Sequence, residues 1–257
     1  NTVTIKNKVP IISPSATSPE ITTLDDNQLV FRTAPSDSFQ GEIAAQTAMI
    51  NGFHSAGILY IDNAYGKGLA DSFQKEFERK GGTITAIESY PDMTDEEVTK
   101  YQFDNGIEKI FKEKPKLLYL VSYPADGAKI TVTMLSHLSK DYHPQLMGCD
   151  GNYGEDFFIN ADPKIIEGMI GTIPAPPSDD SNYKKFVSNY QKAFGYPPEL
   201  FTETAYDAVY IFAYAIIAAN SLDPQKIAEK IQMVSKDGET VDVDSFQFGK
   251  KEIEEGD

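Results

Sequence analysis

Residues 55–90 read SAGILYIDNAYGKGLADSFQKEFERKGGTITAIESY, and this stretch decides the fold. Its first part, SAGILYID, is a short apolar run of strand length. In GKGLADSFQKEFERKGG, Leu69, Phe73 and Phe77 recur every four residues and share one face of a helix, and Gly81-Gly82 ends it. TITAIESY then reads as a second strand. Apolar strands separated by amphipathic helices imply a parallel sheet covered on both faces.

The same alternation extends in both directions. VPII (9–12) reads as a short buried strand, and a helix rich in Ala and Ile precedes residue 55. Beyond residue 90 come a helical stretch over 95–114, a strand KLLYLVS (116–122), a helix over 127–141, a strand QLMGCD (145–150) and a strand near 168–175. Three helices, 183–194, 202–220 and 224–234, finish the chain. The predicted fold class is α/β, with doubly wound parallel sheets.

Composition narrows the function. Acidic residues outnumber basic ones 39 to 23, a formal charge of −16, which argues against a nucleic-acid surface. The single cysteine, Cys149, forbids an internal disulfide, and His54, His137 and His143 have no metal-ligand spacing. The longest apolar run, AVYIFAYAIIAA (208–219), is shorter than a bilayer crossing and reads as a buried helix. The first residue is Asn1, so the chain is read as a processed or trimmed product from which any targeting segment is gone.

In sheets of this class, ligands bind beyond the carboxyl ends of the strands. VPIISPSATSPEIT (9–22) runs from a strand into Ser13, Ser15 and Thr17; Asp62, Asn63 and Tyr65 follow ILYI, Ser122 and Tyr123 follow LLYLV, and Asp150 follows QLMGC. No basic residue immediately follows these strands, so the expected pocket is polar, acidic and aromatic.

Rival motifs are weaker. GKGLAD (66–71) approaches the dinucleotide fingerprint, with Glu88 as a candidate ribose ligand, but Asp71 stands where the third glycine belongs. The residues Asp62 to Tyr65 also separate the glycines from the strand. No phosphate-binding Walker loop and no nucleophile elbow occurs. Tyr206, Tyr210 and Tyr214 share a helix face and read as core packing. No catalytic residue, metal or cofactor is expected.

Seven segments occur in order: VPIISPSATSPEIT, FRTAPSDSFQG, ILYIDNAYGKGLADSFQKEFERKGG, LLYLVSYPADG, LMGCDG, EGMIGTIPAPP and FGYPPELFTETAYDAVYIFAYAI. On these, the chain resembles the branched-chain amino-acid-binding proteins of ABC transporters, the type I periplasmic binding proteins. The resemblance implies two doubly wound lobes joined by crossovers, with a ligand closed between them. It assigns 1–35 and 173–257 to an incomplete first lobe and 36–172 to a second, in a chain truncated at both ends. It places Ser15, Ala16 and Thr17 at the α-carboxylate of the ligand, Tyr65 and Tyr123 against its body, and Asp150 at its α-ammonium. The implied protein is a monomeric, exported, non-catalytic solute-binding protein of the periplasm or cell exterior. It hands a small amino acid or amide to the permease subunits of an ABC transporter. The alternatives are a ligand-binding sensor domain and, from another class, a nucleotide-dependent enzyme built on GKGLAD.

Overall fold

A computed structural model describes residues 3–176, 178–236 and 238–256. Asn1, and the Pro177 that ends EGMIGTIPAPP, lie outside the described residues. Helix α1 (Thr4–Asn7) and strands β1 (Ile11–Ser13) and β2 (Val30–Arg32) come first. Then follow α2 (Asp37–Ile50), β3 (Ser55–Asp62), α3 (Ala64–Arg79), β4 (Thr83–Pro91), α4 (Asp95–Lys100), α5 (Asp104–Lys112), β5 (Leu117–Val121), α6 (Pro124–His137) and β6 (Gln145–Gly148). The chain continues through α7 (Glu155–Asn160), α8 (Pro163–Ile166), β7 (Ile170–Gly171), α9 (Ser181–Phe194), α10 (Thr202–Ala219), α11 (Pro224–Ile231) and α12 (Phe246–Glu255).

These elements divide into two compact units. Unit 1 comprises residues 1–17, 21–35 and 175–257, and unit 2 comprises 18–20 and 36–174. Unit 2 holds a five-stranded, wholly parallel sheet in the order β4-β3-β5-β6-β7. Alternate residues of its strands feed two cores. Ile58, Tyr119, Val121 and Met147 pack with Ala44, Ala48, Leu69, Phe73 and Phe77 from α2 and α3. Leu59, Ile61, Leu118, Leu120 and Leu146 face Ile107, Ile110, Ile130 and Met134 from α5 and α6. Burial on both faces explains why these strands are uninterrupted apolar runs.

Small residues let α2 lie close on α3: a Cβ at Gly41 would stand 2.5 Å from Ser72 Cβ and 2.8 Å from the Phe73 nitrogen. The GKG of GKGLAD has the same kind of cause. A Cβ at Gly66 would fall 2.0 Å from the Ile61 carbonyl oxygen, and one at Gly68 would fall 2.5 Å from Pro19 Cδ. Glu88, the supposed ribose ligand, is paired with Lys109 at 2.8 Å. These glycines therefore serve packing. We expect Gly66→Ala to destabilise unit 2 by about 1–3 kcal/mol, read from its denaturant midpoint, because backbone must move to admit the methyl group.

Unit 1 carries the short parallel pair β1–β2, in register Ile11 to Val30 and Ser13 to Arg32. Ile12 and Phe31 from this pair pack with Ile211, Phe212 and Ala215 of α10 and with Ile227 and Ile231 of α11. Tyr206, Tyr210 and Tyr214 form a ladder along α10, with ring centroids 4.4 and 6.1 Å apart, and Tyr214 stacks on Phe246 of α12 at 5.1 Å. Among the described residues no single helix is long and apolar enough to cross a membrane.

Several of the sequence expectations need correction. The helical stretch 95–114 is two helices, because the chain turns extended at Tyr101 so that Phe103 can pack edge-on against Tyr90. The first strand occupies 11–13, since Pro10 has no N–H to give a ladder. Helix α6 begins three residues early, at Pro124, where proline fits the first helical turn. The strand expected over 145–150 stops at Gly148, and that near 168–175 spans two residues. The helix expected over 224–234 ends at Ile231, and α12 follows the three closing helices.

Candidate functional site

Three segments leave the carboxyl edge of the unit 2 sheet, and each brings one polar group of the site. After β3, Asn63 caps α3 by accepting the Gly66 N–H at 2.9 Å, which fixes the turn that presents Tyr65. After β5, Ser122 and Tyr123 precede Pro124, so α6 starts at once and Tyr123 stands at its cap. After β6, Cys149, Asp150, Gly151 and Asn152 make a tight turn in which Asn152 Oδ1 accepts the Cys149 N–H at 3.0 Å. Asn152 also donates to the Ser122 hydroxyl, tying the β5 and β6 exits together. Glycine is required in that turn: a Cβ at Gly151 would sit 2.3 Å from the Ser122 carbonyl oxygen and 2.7 Å from the Tyr65 hydroxyl.

The result brings Tyr65, Tyr123 and Asp150 together. The rings of Tyr65 and Tyr123 stack with centroids 5.5 Å apart. The Tyr65 hydroxyl donates to Asp150 Oδ1 at 2.9 Å and accepts the Gly151 N–H at 3.2 Å. A third partner arrives from α2: Gln40 Nε2 donates to the same Oδ1 at 2.9 Å and to the Thr172 carbonyl at 3.0 Å. Asp150 is buried, at 7% exposure, whereas Tyr123 is 42% exposed.

The electrostatics follow from burial with neutral donors only. Burial raises the Asp150 carboxyl above its ordinary value, and the Tyr65 and Gln40 hydrogen bonds oppose that rise. Burial likewise pushes the Cys149 thiol up to about 12 and the Tyr65 phenol well above its usual range, with Cys149 and Asp150 adding to the latter. No lysine, arginine or histidine among the described residues makes an ion pair with Asp150. A buried carboxylate without a cation is costly unless something positive meets it.

A second acid supports Tyr123. Asp126, in the first turn of α6, is buried and accepts the hydroxyl of buried Tyr90 from β4. Its carboxylate also interacts with the Tyr123 N–H, so the pair fixes the turn from behind.

Ser15, Ala16 and Thr17 belong to unit 1, in the loop after β1. Ser13 Oγ accepts the Ala16 N–H at 3.1 Å, and Thr204 of α10 donates to the Pro14 carbonyl at 2.8 Å. Arg32 of β2 donates to the Thr17 carbonyl at 2.9 Å and to the Thr22 hydroxyl at 2.7 Å. Ser15 is exposed and Thr17 buried. The sequence reading passed over Gln40, Arg32 and Thr204. Gln40 and Arg32 lie within the quoted FRTAPSDSFQG and Thr204 within FGYPPELFTETAYDAVYIFAYAI, but nothing in their spacing marks them.

Among the described residues no cluster of three or more His, Cys, Asp and Glu is placed to hold a metal ion. His137 instead contacts Asp104 at 2.9 Å.

Comparison with known proteins places this architecture. A leucine-, isoleucine-, valine-, threonine- and alanine-binding protein of Pseudomonas aeruginosa is 29% identical over 224 residues, covering 86% of this chain. The chain spans 57% of that relative's length. A crystal structure of a leucine-binding protein from Thermotoga maritima superposes with a TM-score of 0.75 at 24% identity, covering 90% of this chain and 63% of that one. A solute-binding protein of an ABC transporter from R. palustris, in complex with benzoate, gives a TM-score of 0.71 at 18% identity, covering 90% and 62%. The fold is that of the type I periplasmic binding proteins. With residues 2–250 matched to the receptor family ligand binding region, the chain belongs to that family.

Proposed function

We propose that this chain is the ligand-capturing part of an exported solute-binding protein, that it takes up a small α-amino acid of the branched-chain class or a relative of it, and that it delivers this ligand to the permease of an ABC transporter. In this reading units 1 and 2 are the two lobes. The ligand's ammonium meets Asp150, its body lies against Tyr65 and Tyr123, and the Ser15, Ala16 and Thr17 loop takes its carboxylate. The protein binds and releases without catalysis.

One observation carries the choice of ligand. Similar folds hold branched-chain amino acids in some relatives and benzoate in another. The unit 2 site presents a buried carboxylate whose side-chain partners are neutral donors. A benzoate would put like charge toward that group, whereas an ammonium supplies the missing cation. The test is a set of thermal melts with each of the twenty amino acids, benzoate and 4-hydroxybenzoate. A ligand at a hundred times its dissociation constant adds about 2.7 kcal/mol to stability. We expect an upward shift with branched aliphatic amino acids and none with the benzoates; a shift with the benzoates alone would overturn the proposal.

A further inference from the structure

Asp150 is held from a direction that the ligand contacts do not require. Gln40 lies in the first turns of α2, just after the chain enters unit 2 at Ser36. Thr172 lies just before the chain leaves that unit at Pro174. The Gln40 amide bonds to both Asp150 Oδ1 and the Thr172 carbonyl, at 2.9 and 3.0 Å, and Gln40 is itself 7% exposed. Both partners are pure acceptors, so the side chain at position 40 must offer two N–H bonds in one plane. A glutamate there would aim lone pairs at a carboxylate and a carbonyl, and a hydrocarbon would leave both without a donor.

The geometry points to Gln40 as the positioning residue of the site: its amide fixes the Asp150 carboxylate in one orientation and ties it to the backbone where the chain leaves unit 2, so that the ligand ammonium meets a carboxylate already aimed. This rests on the assignment of Asp150 to the ammonium. Two other features agree with it. The Tyr65 hydroxyl shares the same Oδ1, so both side-chain donors converge on one oxygen. The titratable groups that face the carboxylate from neighbouring elements are Tyr65, Tyr119, Tyr123 and Cys149, and buried Asp37 of α2 acts in turn on Tyr65 and Tyr119; none is cationic, and the amide of Gln40 is a hydrogen-bond donor to it from α2. Orientation fixed in advance spares the ligand the cost of ordering the carboxylate.

The test uses Gln40→Met, which keeps the length and removes the donors, with Gln40→Asn, which keeps a neutral amide but shortens its reach, as a second variant should the first fail to fold. L-leucine affinity is measured by calorimetry in the parent chain and in an Asp150→Asn background, and the Asp150 carboxyl is titrated by carbon NMR without ligand. Loss of a hydrogen bond to a charged group predicts affinity at least about tenfold weaker in the parent. In the Asp150→Asn background the same change should alter affinity by less than about twofold, because Gln40 acts through the carboxylate. The titration midpoint of Asp150 should rise by about one pH unit. Equal losses in both backgrounds, or an unmoved midpoint, would refute the positioning role. Should Asp150→Asn alone leave L-leucine binding intact, the ammonium assignment fails instead, while the ligand-free titration still decides whether Gln40 holds the carboxylate.

Discussion

Replacing Asp150 by alanine should weaken amino-acid binding by about 2–5 kcal/mol, roughly thirtyfold to several thousandfold. The size follows from burial. An ammonium drawn into this site leaves water and needs a fixed anion, and within unit 2 the donors Gln40 and Tyr65 already converge on that one carboxylate. Removing it strands the ligand's charge and both donors at once. Unchanged affinity in the variant, by calorimetry, would remove Asp150 from the site. The same residue carries an opposite effect on the empty protein. Its folded carboxyl titrates above the ordinary value of 3.8 because of burial. The native state therefore binds that proton more tightly than the unfolded chain. The contribution to stability is present at low pH and declines as pH rises from the unfolded value through the folded one. Asp150→Asn should remove this slope, seen as the difference between the melting profiles of parent and variant, and should raise the ligand-free melting temperature at neutral pH. A residue that lowers stability when empty and raises affinity when filled has the signature of a binding group.

The largest expected loss of stability is Phe73→Ala, about 3–5 kcal/mol. Phe73 is fully buried where α3 meets the sheet. Its ring stacks on Tyr119 of β5 at 4.2 Å and on Phe77 at 5.2 Å. The cavity cannot close easily, because α2 and α3 already touch through Gly41 and Ser72 and through the small residues Ala44 and Ala48. Chemical denaturation of the variant, followed by far-UV circular dichroism, gives the number. A loss under 1 kcal/mol would mean that Phe73 is not a core residue. The prediction is independent of any ligand, so it tests the fold separately from the site.

Where periodicity was strong, the sequence announced its structure. Leu69, Phe73 and Phe77 share a face because four-residue spacing brings them round one side of a helix, and all three are buried. The apolar runs ILYI and LLYLV are central strands whose alternate residues enter two different cores. The break at Tyr101–Phe103 was not legible, since it depends on Phe103 finding Tyr90 on another strand. The strand near 168–175 was legible in place but not in length, since two residues of pairing carry no period. At the candidate site, Tyr65, Tyr123 and Asp150 could be read from their places after strands. Gln40 could not. It sits on a helix, 110 positions from its partner, and only the fold brings an amide from α2 beneath a carboxylate after β6. The glycines of GKGLAD show the converse, a motif whose residues are explained by contacts with Ile61 and Pro19.

If the buried carboxylate of Asp150 selects its ligand, that ligand must bear an ammonium group. The most direct measurement is a calorimetric titration of the chain with L-leucine beside 4-methylpentanoate, which shares its side chain and carboxylate but lacks the amine. The account predicts saturable binding of L-leucine and, from the same 2–5 kcal/mol range expected of Asp150, at least about thirtyfold weaker binding of the acid. Equal affinity for the two would contradict it.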